Sequence, residues 1–316
     1  MKKNVVVFGG GNGSAIALVA LKQNLERFNI SAVISMSDSG GSSGRLRREL
    51  GVLSPGDIMR AVLALSIYDY PLLKKIFYRN RFSVSGKLKD HNLGNLFLAL
   101  GCQYSGNIVK AVRALEESVE AVGRVYPVSL KKNDLVAELI NAKIVKTEAK
   151  IDKPNYDRSW RIKKVYLEPR VQANPEAISQ IISANYIVLS SGSLYTSVIA
   201  TLLPIGIKEA INKSKAKIVF IAGNAYHIYG ETGPINLSEK ITELENFLPR
   251  KVDFVLHNNH KLNKKEKEHY KQKTWGVVNN DSNKIPSNNI ISFDFSRTDG
   301  GLCSIKLGKK LKELIK

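Results

Sequence analysis

Apolar positions along the chain fall into short runs separated by loops of small residues. Val5–Phe8 is a continuous, largely β-branched run that meets glycine at once, the pattern of a strand buried on both faces. Ser14–Leu25 then carries apolar residues at helical spacing, and Ile30–Met36 is a second strand-like run. Strand, helix, strand is the unit that joins parallel strands. Ile187–Leu189, Lys217–Ala222, Val252–Leu256 and Ile290–Phe293 repeat the strand pattern, and Pro175–Ile182, Tyr195–Leu203 and Ser238–Phe247 repeat the helical one. This alternation predicts the α/β class and a doubly wound sheet. The middle of the chain differs. Residues 56–120 read as a helical insertion, and residues 124–168 as a β-rich excursion. In the excursion, Arg124–Lys150 forms a small hairpin about a turn at Lys131–Asp134, joined by Arg161–Leu167. Both are expected to decorate a single domain spanning residues 1–316. Lys261–Pro286 is polar with few apolar anchors and is expected to be a mobile loop.

Composition narrows the functional classes. With 316 residues, 43% of them hydrophobic, the chain can bury a sizeable core. Its two cysteines, Cys102 and Cys303, form no CxxC pair and have no ligand-like spacing to histidine, so neither zinc nor a disulfide is expected. Free thiols fit a reducing compartment. Val5–Phe8 is too short for a signal-peptide core, and no apolar segment approaches the roughly 18 residues of a membrane span. A cytoplasmic protein without a membrane partner is expected. The formal charge is +20, yet the lysines are dispersed apart from a cluster at Lys261–Lys267 and the C-terminal tail. No helix-turn-helix, zinc-finger or RNA-recognition signature accompanies them, so a solvated basic surface favouring anionic small molecules is expected over nucleic acid.

The candidate chemistry sits on the loops that follow strands. Gly9, Gly10, Gly11, Asn12, Gly13 and Ser14 lie between the first strand and first helix. Glycines let a ligand approach the backbone, and a helix N-terminus offers free N–H groups suited to phosphate. The loop is neither GxGxxG nor a P-loop. The second loop, Ser37–Arg48, carries Asp38, then Ser39, Gly40, Gly41, Ser42, Ser43 and Gly44, then Arg45. Hydroxyls and bare N–H groups donate to phosphate, Arg45 can grip it bidentately, and Asp38 suits Mg²⁺, a sugar hydroxyl or a simple turn. Arg47 and Arg48 read as a solvated helix face. Asp57, after Ser54-Pro55-Gly56, is either a helix cap or a metal ligand. His91 opens an apolar helix, with Asn92 and Asn95 on one face. Ser190–Ser197 repeats the strand, small-residue loop, helix formula with Gly192, Ser193, Tyr195 and Thr196. It lacks the GxSxG elbow of a serine hydrolase, so it reads as another anion-binding helix start. Asn224 ends a strand and suits hydrogen bonds to a base or sugar, and Glu231 is either an acid/base group or a solvated loop residue.

The blocks GGGNGS, SDSGGSSGRLRRELGVLSPGDI, HNLGNL, GRVYPVSL, SGSLYTS and GET, in that order over residues 9–232, resemble the 2-phospho-L-lactate transferase and gluconeogenesis-factor family (CofD-like and YvcK-like proteins). The pairing of GVLSPGDI with SGSLYTS is more similar to the gluconeogenesis-factor branch. The resemblance implies a Rossmann-like three-layer sandwich with a mainly parallel sheet. In the gluconeogenesis-factor branch it implies a UDP-sugar ligand, such as UDP-N-acetylglucosamine, and a role in cell-wall and cell-shape control. In the transferase branch it implies attack of a deazaflavin hydroxyl on an activated phospholactate, aided by Mg²⁺ on aspartates. Either ligand is a phosphate-bearing small molecule. Carried onto this sequence, the nucleotide lies on Gly9–Ser14, and Asp38 and Asp57 form the acidic, metal-binding side. His91 and Asn95 line the pocket, Ser193–Thr196 hold phosphate and Asn224 meets the nucleoside. The chain departs from the family where Ser39 replaces a second aspartate, where Ser190-Ser191 precede Gly192, and where His227 and Ile228 replace Thr and Gln. Ile235 stands where an aromatic residue often follows GET, and Arg297-Thr298-Asp299 corresponds to a C-terminal arginine–histidine–aspartate. The hairpin excursion offers an edge for a homodimer.

Overall fold

The computed structural model of the protein describes every residue except Val84, Pro286, Ser287, Asn288 and Asp299, so Asp299 of the C-terminal motif and Pro286 of the polar segment lie outside the described residues. The first half of the chain runs β1 (Lys3–Gly9), α1 (Gly11–Lys22), β2 (Phe28–Ile34), α2 (Gly41–Glu49), α3 (Gly56–Leu65), α4 (Tyr70–Lys74), α5 (Leu93–Ser105), α6 (Ile108–Ser118) and β3 (Arg124–Pro127). The excursion supplies β4 (Asp134–Leu139), β5 (Ile144–Lys146), α7 (Glu148–Asp152) and β6 (Ile162–Glu168). The chain then forms α8 (Pro175–Ile182), β7 (Tyr186–Leu189), α9 (Ile207–Lys213), β8 (Lys217–Ala222), β9 (Ala225–His227) and α10 (Leu237–Glu245). It ends with β10 (Phe254–Asn258), α11 (Lys264–Gln272), β11 (Trp275–Val277), β12 (Ile290–Phe293) and α12 (Ser304–Leu314).

Seven strands form one sheet in the order β12-β10-β8-β7-β1-β2-β3. Every pairing in it is parallel, including β1 to β2 (Val5 opposite Ile30) and β1 to β7 (Val5 opposite Tyr186). The central strand explains itself: Val5, Val6, Val7 and Phe8 are each at most 1% exposed, because helices cover both faces of a parallel sheet. α1, α3 and α12 pack together, and α8 packs on α9. Right-handed crossovers place α1 and α8 on opposite faces, since strand order runs away from β1 in opposite directions after each. The result is a Rossmann-like α/β sandwich. Among the described residues no helix is long and apolar enough to cross a membrane.

Three local expectations are corrected. The hairpin over Arg124–Lys150 is split: β3 joins the main sheet beside β2, while β5-β4-β6 form a separate antiparallel sheet. The helix over Tyr195–Leu203 is instead a π-helical turn at Leu194–Val198 followed by a 3-10 turn at Ile199–Thr201. The polar segment from Lys261 contains α11 and β11, not a continuous loop. Its helix is set by a reciprocal cap: Glu266 N donates to Asn263 Oδ1 (3.0 Å) and Asn263 N to Glu266 Oε2 (2.7 Å). One buried aromatic anchor, Tyr270 at 3% exposed, stands beside the buried capping Glu266, and the lysines face outward.

Candidate functional site

β1 is where strand order reverses, and in open α/β sheets the crevice outside the strand carboxyl ends at that point is the natural ligand site. A cleft of about 1170 Å³ opens there. Gly10–Gly13 from the β1 loop, Asp38 and Gly40–Ser43 from the β2 loop, and Ser191–Leu194 from the β7 loop line it together. Gly13 makes the convergence possible, since a methyl on it would come within 1.5 Å of the Ser191 carbonyl oxygen. Neither α1 nor α2 has a side-chain cap. At α1 the Gly11 N–H is met by Asp57, and the next amides, of Asn12 and Gly13, have no partner among the described residues. At α2 Gly40 N donates to Asp38 Oδ1 (2.9 Å), which folds the acid back over its own loop and leaves the amides of Gly41–Ser43 facing the cleft.

The acidic side is larger than the two aspartates singled out in the sequence. Asp38, Asp57, Glu148 and Asp152 all line the cleft. Glu148 and Asp152 arrive on α7, and α7 is tied to the second loop where Ser39 stands: Ser39 N donates to Glu148 Oε2 (3.3 Å) and Ala149 N to Ser39 Oγ (3.0 Å). A glutamate from the excursion thus stands beside Ser39. Burial pushes the Glu148 carboxyl up to about 8, with the negative charges of Asp38 and Asp152 adding to the shift. Burial also lifts Asp57 to about 6, opposed by Arg60 and reinforced by Asp38, and burial raises Asp152. Arg60 lies 3.7 Å from Asp57 and stacks 4.4 Å over the Tyr78 ring, and its Nε is buried without a partner. Among the described residues no three His, Cys, Asp or Glu side chains are close enough to hold a metal ion by themselves. Two carboxylates completed by phosphate oxygens are the donor set Mg²⁺ usually takes.

The β7 loop is filled differently. Glu231 reaches across to the start of the π-turn and accepts from Leu194 N, from Tyr195 N (3.1 Å) and from Thr196 N (3.1 Å). Of the stretch expected to hold phosphate, Ser193–Thr196, the amides of Leu194, Tyr195 and Thr196 are therefore occupied by a carboxylate of the same chain. Burial raises that carboxyl to about 7 against the opposing pull of the Thr196 and Leu194 amides and of Lys240. A solvated loop residue it is not.

The remaining predicted residues divide. Asn95 lines the cleft at 2% exposed: Nδ2 donates to Ser42 Oγ (3.0 Å) and Oδ1 has no partner. His91 stands one step behind, its Nδ1 on Ser42 Oγ (2.8 Å), with burial lowering its pKa. Arg45 turns away and donates to the carbonyls of Lys87 (2.9 Å) and Lys89 (2.5 Å). Arg47, read as solvated, is 10% exposed and ties the second loop to β4 through the Ser37, Asp38 and Asn133 carbonyls and Asp134. Gly9 and Ser39 lie behind the lining, and Tyr195 is buried with its hydroxyl donating to Glu243 (3.0 Å). Asn224, Tyr226 and Trp275 also line the cleft. Sequence reasoning passed over Arg60, Glu148, Asp152, Tyr226, Lys240 and Trp275, because each comes from an element whose approach to the strand ends is a tertiary fact. The spacing of Asp57 and Arg60 on one helix face was the one usable signal.

The family model described as 2-phospho-L-lactate transferase CofD matches residues 5–294. A protein of Thermotoga maritima is 38% identical over 291 residues, covering 92% of this chain and 90% of that protein. The gluconeogenesis factor of Bacillus subtilis is 38% identical over 232 residues, 73% of this chain and 70% of that protein. Some relatives are longer, the chain spanning 65% of one from Clostridium acetobutylicum. The crystal structure of a UPF0052-family protein from Bacillus halodurans superimposes with a TM-score of 0.89 at 32% identity, covering 99% of both chains.

Proposed function

The chain belongs to the 2-phospho-L-lactate transferase CofD family, with gluconeogenesis factors among its relatives, and from that premise we propose that its cleft binds a nucleotide sugar of the UDP-N-acetylglucosamine type. On this reading the protein acts as a gluconeogenesis-factor-like regulator of cell-wall precursor flow, cell shape and carbon metabolism. One observation carries the binding step: two helix starts whose amides stay open, at Asn12–Gly13 and Gly41–Ser43, line a single cleft at the switch point of the sheet. Their amides and dipoles suit a diphosphate, and Arg60 stands beside them to neutralise the remaining charge. Titration calorimetry tests it. Saturable heat with UDP-N-acetylglucosamine is expected, and no heat at millimolar ligand overturns the reading.

A second reading, an Mg²⁺-dependent transferase moving phospholactate from a nucleoside-diphospho donor to a deazaflavin, is favoured by the acids in the same cleft. Asp38 and Asp57 would hold the ion with ligand phosphate oxygens, and it would supply charge neutralisation at the reacting phosphoryl group. Arg60, 3.7 Å from Asp57, would hold that carboxylate's orientation. Product formation from those two substrates, abolished in Asp38→Asn, is the outcome this reading requires. Turnover unchanged in the variant removes the metal role of Asp38.

A further inference from the structure

We propose that the outer face of α5 is the contact through which two copies of this chain pair. The inference is independent of what the cleft binds. From Asn92 to Val109 the sequence has no Asp, Glu, Lys, Arg or His, in a chain where 24% of residues are charged. Within that stretch lies α5, 13 residues long. Its inner stripe, Gly94, Asn95, Leu98 and Ala99, is buried. Its outer stripe is just as apolar but uncovered: Leu93 is 44% exposed, Leu100 58% and Tyr104 97%. Leu96 and Phe97 stand half-buried between them, which completes the spacing of a helix face that packs on another helix. A helix apolar on all sides is normally covered on all sides. The π-helical turn Lys75–Arg79 packs beside α5, and there Leu72 (53%) and Ile76 (43%) are exposed as well.

Size and charge select the occupant. At these exposures the five side chains leave on the order of 500 Å² of apolar surface open. A standard interface buries about 800 Å² on each partner, of which roughly 60% is apolar, so the face supplies about what one side of a stable contact needs. A lipid surface is the poorer match, since helices that lie on membranes carry Lys and Arg along their polar side and α5 has neither. A two-fold pair lays the same patch on itself, and in a chain of charge +20 this is favourable only where the patch has an uncharged centre. Antiparallel pairing of α5 sets Leu93 against Tyr104 of the second copy and Phe97 against its Leu100. The excursion is the poorer edge: β5 and β6, the outer strands of its sheet, carry exposed Lys146, Lys163 and Lys164, which discourage strand addition. The contact also reaches the cleft. Asn95 on the inner side of α5 lines it, as does Tyr78 on the neighbouring turn, so a second copy braces the helix that holds Asn95.

Sedimentation velocity of the full chain, at concentrations from about 1 to about 100 µM, tests the pairing. The expected mass at the upper end is twice the 35.0 kDa of one chain. Leu100→Glu and Tyr104→Glu alter exposed positions, so far-UV dichroism should be unchanged. Each variant is expected to sediment as a single chain, its dissociation constant raised at least about a hundredfold by a charge driven into an apolar contact. Leu100→Ala repeats the measurement if the glutamate variants misfold, with a dimer about tenfold weaker expected. Ile144→Glu, on the edge strand of the excursion, should leave the dimer intact. A single chain throughout the range overturns the proposal, and flotation with phosphatidylglycerol vesicles that is lost in Leu100→Glu would then give the face to lipid. A dimer that the Leu100 and Tyr104 variants leave intact, or that Ile144→Glu alone splits, overturns it as well.

Discussion

The start of α1 and the π-turn after β7 have the same sequence formula, a buried strand, a small-residue loop and a helical start, yet the protein uses them in opposite ways. At α1 the amides of Asn12 and Gly13 remain open to the cleft. At Leu194–Thr196 the equivalent amides are satisfied by Glu231, brought from more than 30 residues downstream. An anion hole filled by the chain's own carboxylate is structure, and one left open is a binding site. Sequence formula alone does not distinguish them, because the occupant is remote.

The strongest way to break the comparison is at the contact between the two loops. Gly13→Ala places a methyl against the Ser191 carbonyl, and the backbone there has no side chain to move aside. A loss of about 3 kcal/mol is expected, the upper end for overpacking, lowering Tm by roughly 6 °C or more in calorimetry. Full stability in this variant would mean the loops are not in contact.

Removing the internal anion comes next. Glu231→Ala leaves the amides of the turn unpaired and is expected to cost about 2 kcal/mol in urea unfolding. Glu231→Gln sharpens the point through pH. The carboxyl is raised to about 7 in the folded chain, above its ordinary value near 4.5, so the folded state holds the proton more tightly. Its contribution therefore falls as pH rises from about 4.5 and is fully lost above about 7. The Gln variant lacks that slope, so the stability difference, wild type minus variant, should decline between pH 5 and pH 8. A difference that grows over the same interval would show that the amides, not burial, govern the group.

Arg60→Ala tests the open side. Charged hydrogen bonds to phosphate contribute about 1.5–3 kcal/mol, so pyrophosphate affinity should fall roughly 10–100-fold, with Glu231 variants leaving it nearly unchanged. Equal losses in both would merge the two loops into one function. The smallest effect is expected at Gly41. Its φ is +44° and nothing lies within 4 Å of an added methyl, so Gly41→Ala meets only the left-handed backbone cost of about 1 kcal/mol.

The hydrophobic runs by themselves determined the parallel α/β architecture, because a strand buried on both faces must be continuously apolar and a crossover helix must show its period. Val5–Phe8 and Ile187–Leu189 could be little else. The small-residue loops were equally legible, since few residue types tolerate a backbone packed against backbone. Only the tertiary structure decided what meets those loops. Glu148 reaches Ser39 because a separate sheet carries α7 there, Val278 reaches Asn224 because β11 pairs with β9, and Glu231 fills the β7 turn. Local pattern encodes how a segment buries its own apolar face. Which charge or ring arrives from a distant segment depends on the packing of all the others, and no periodicity along the chain records it.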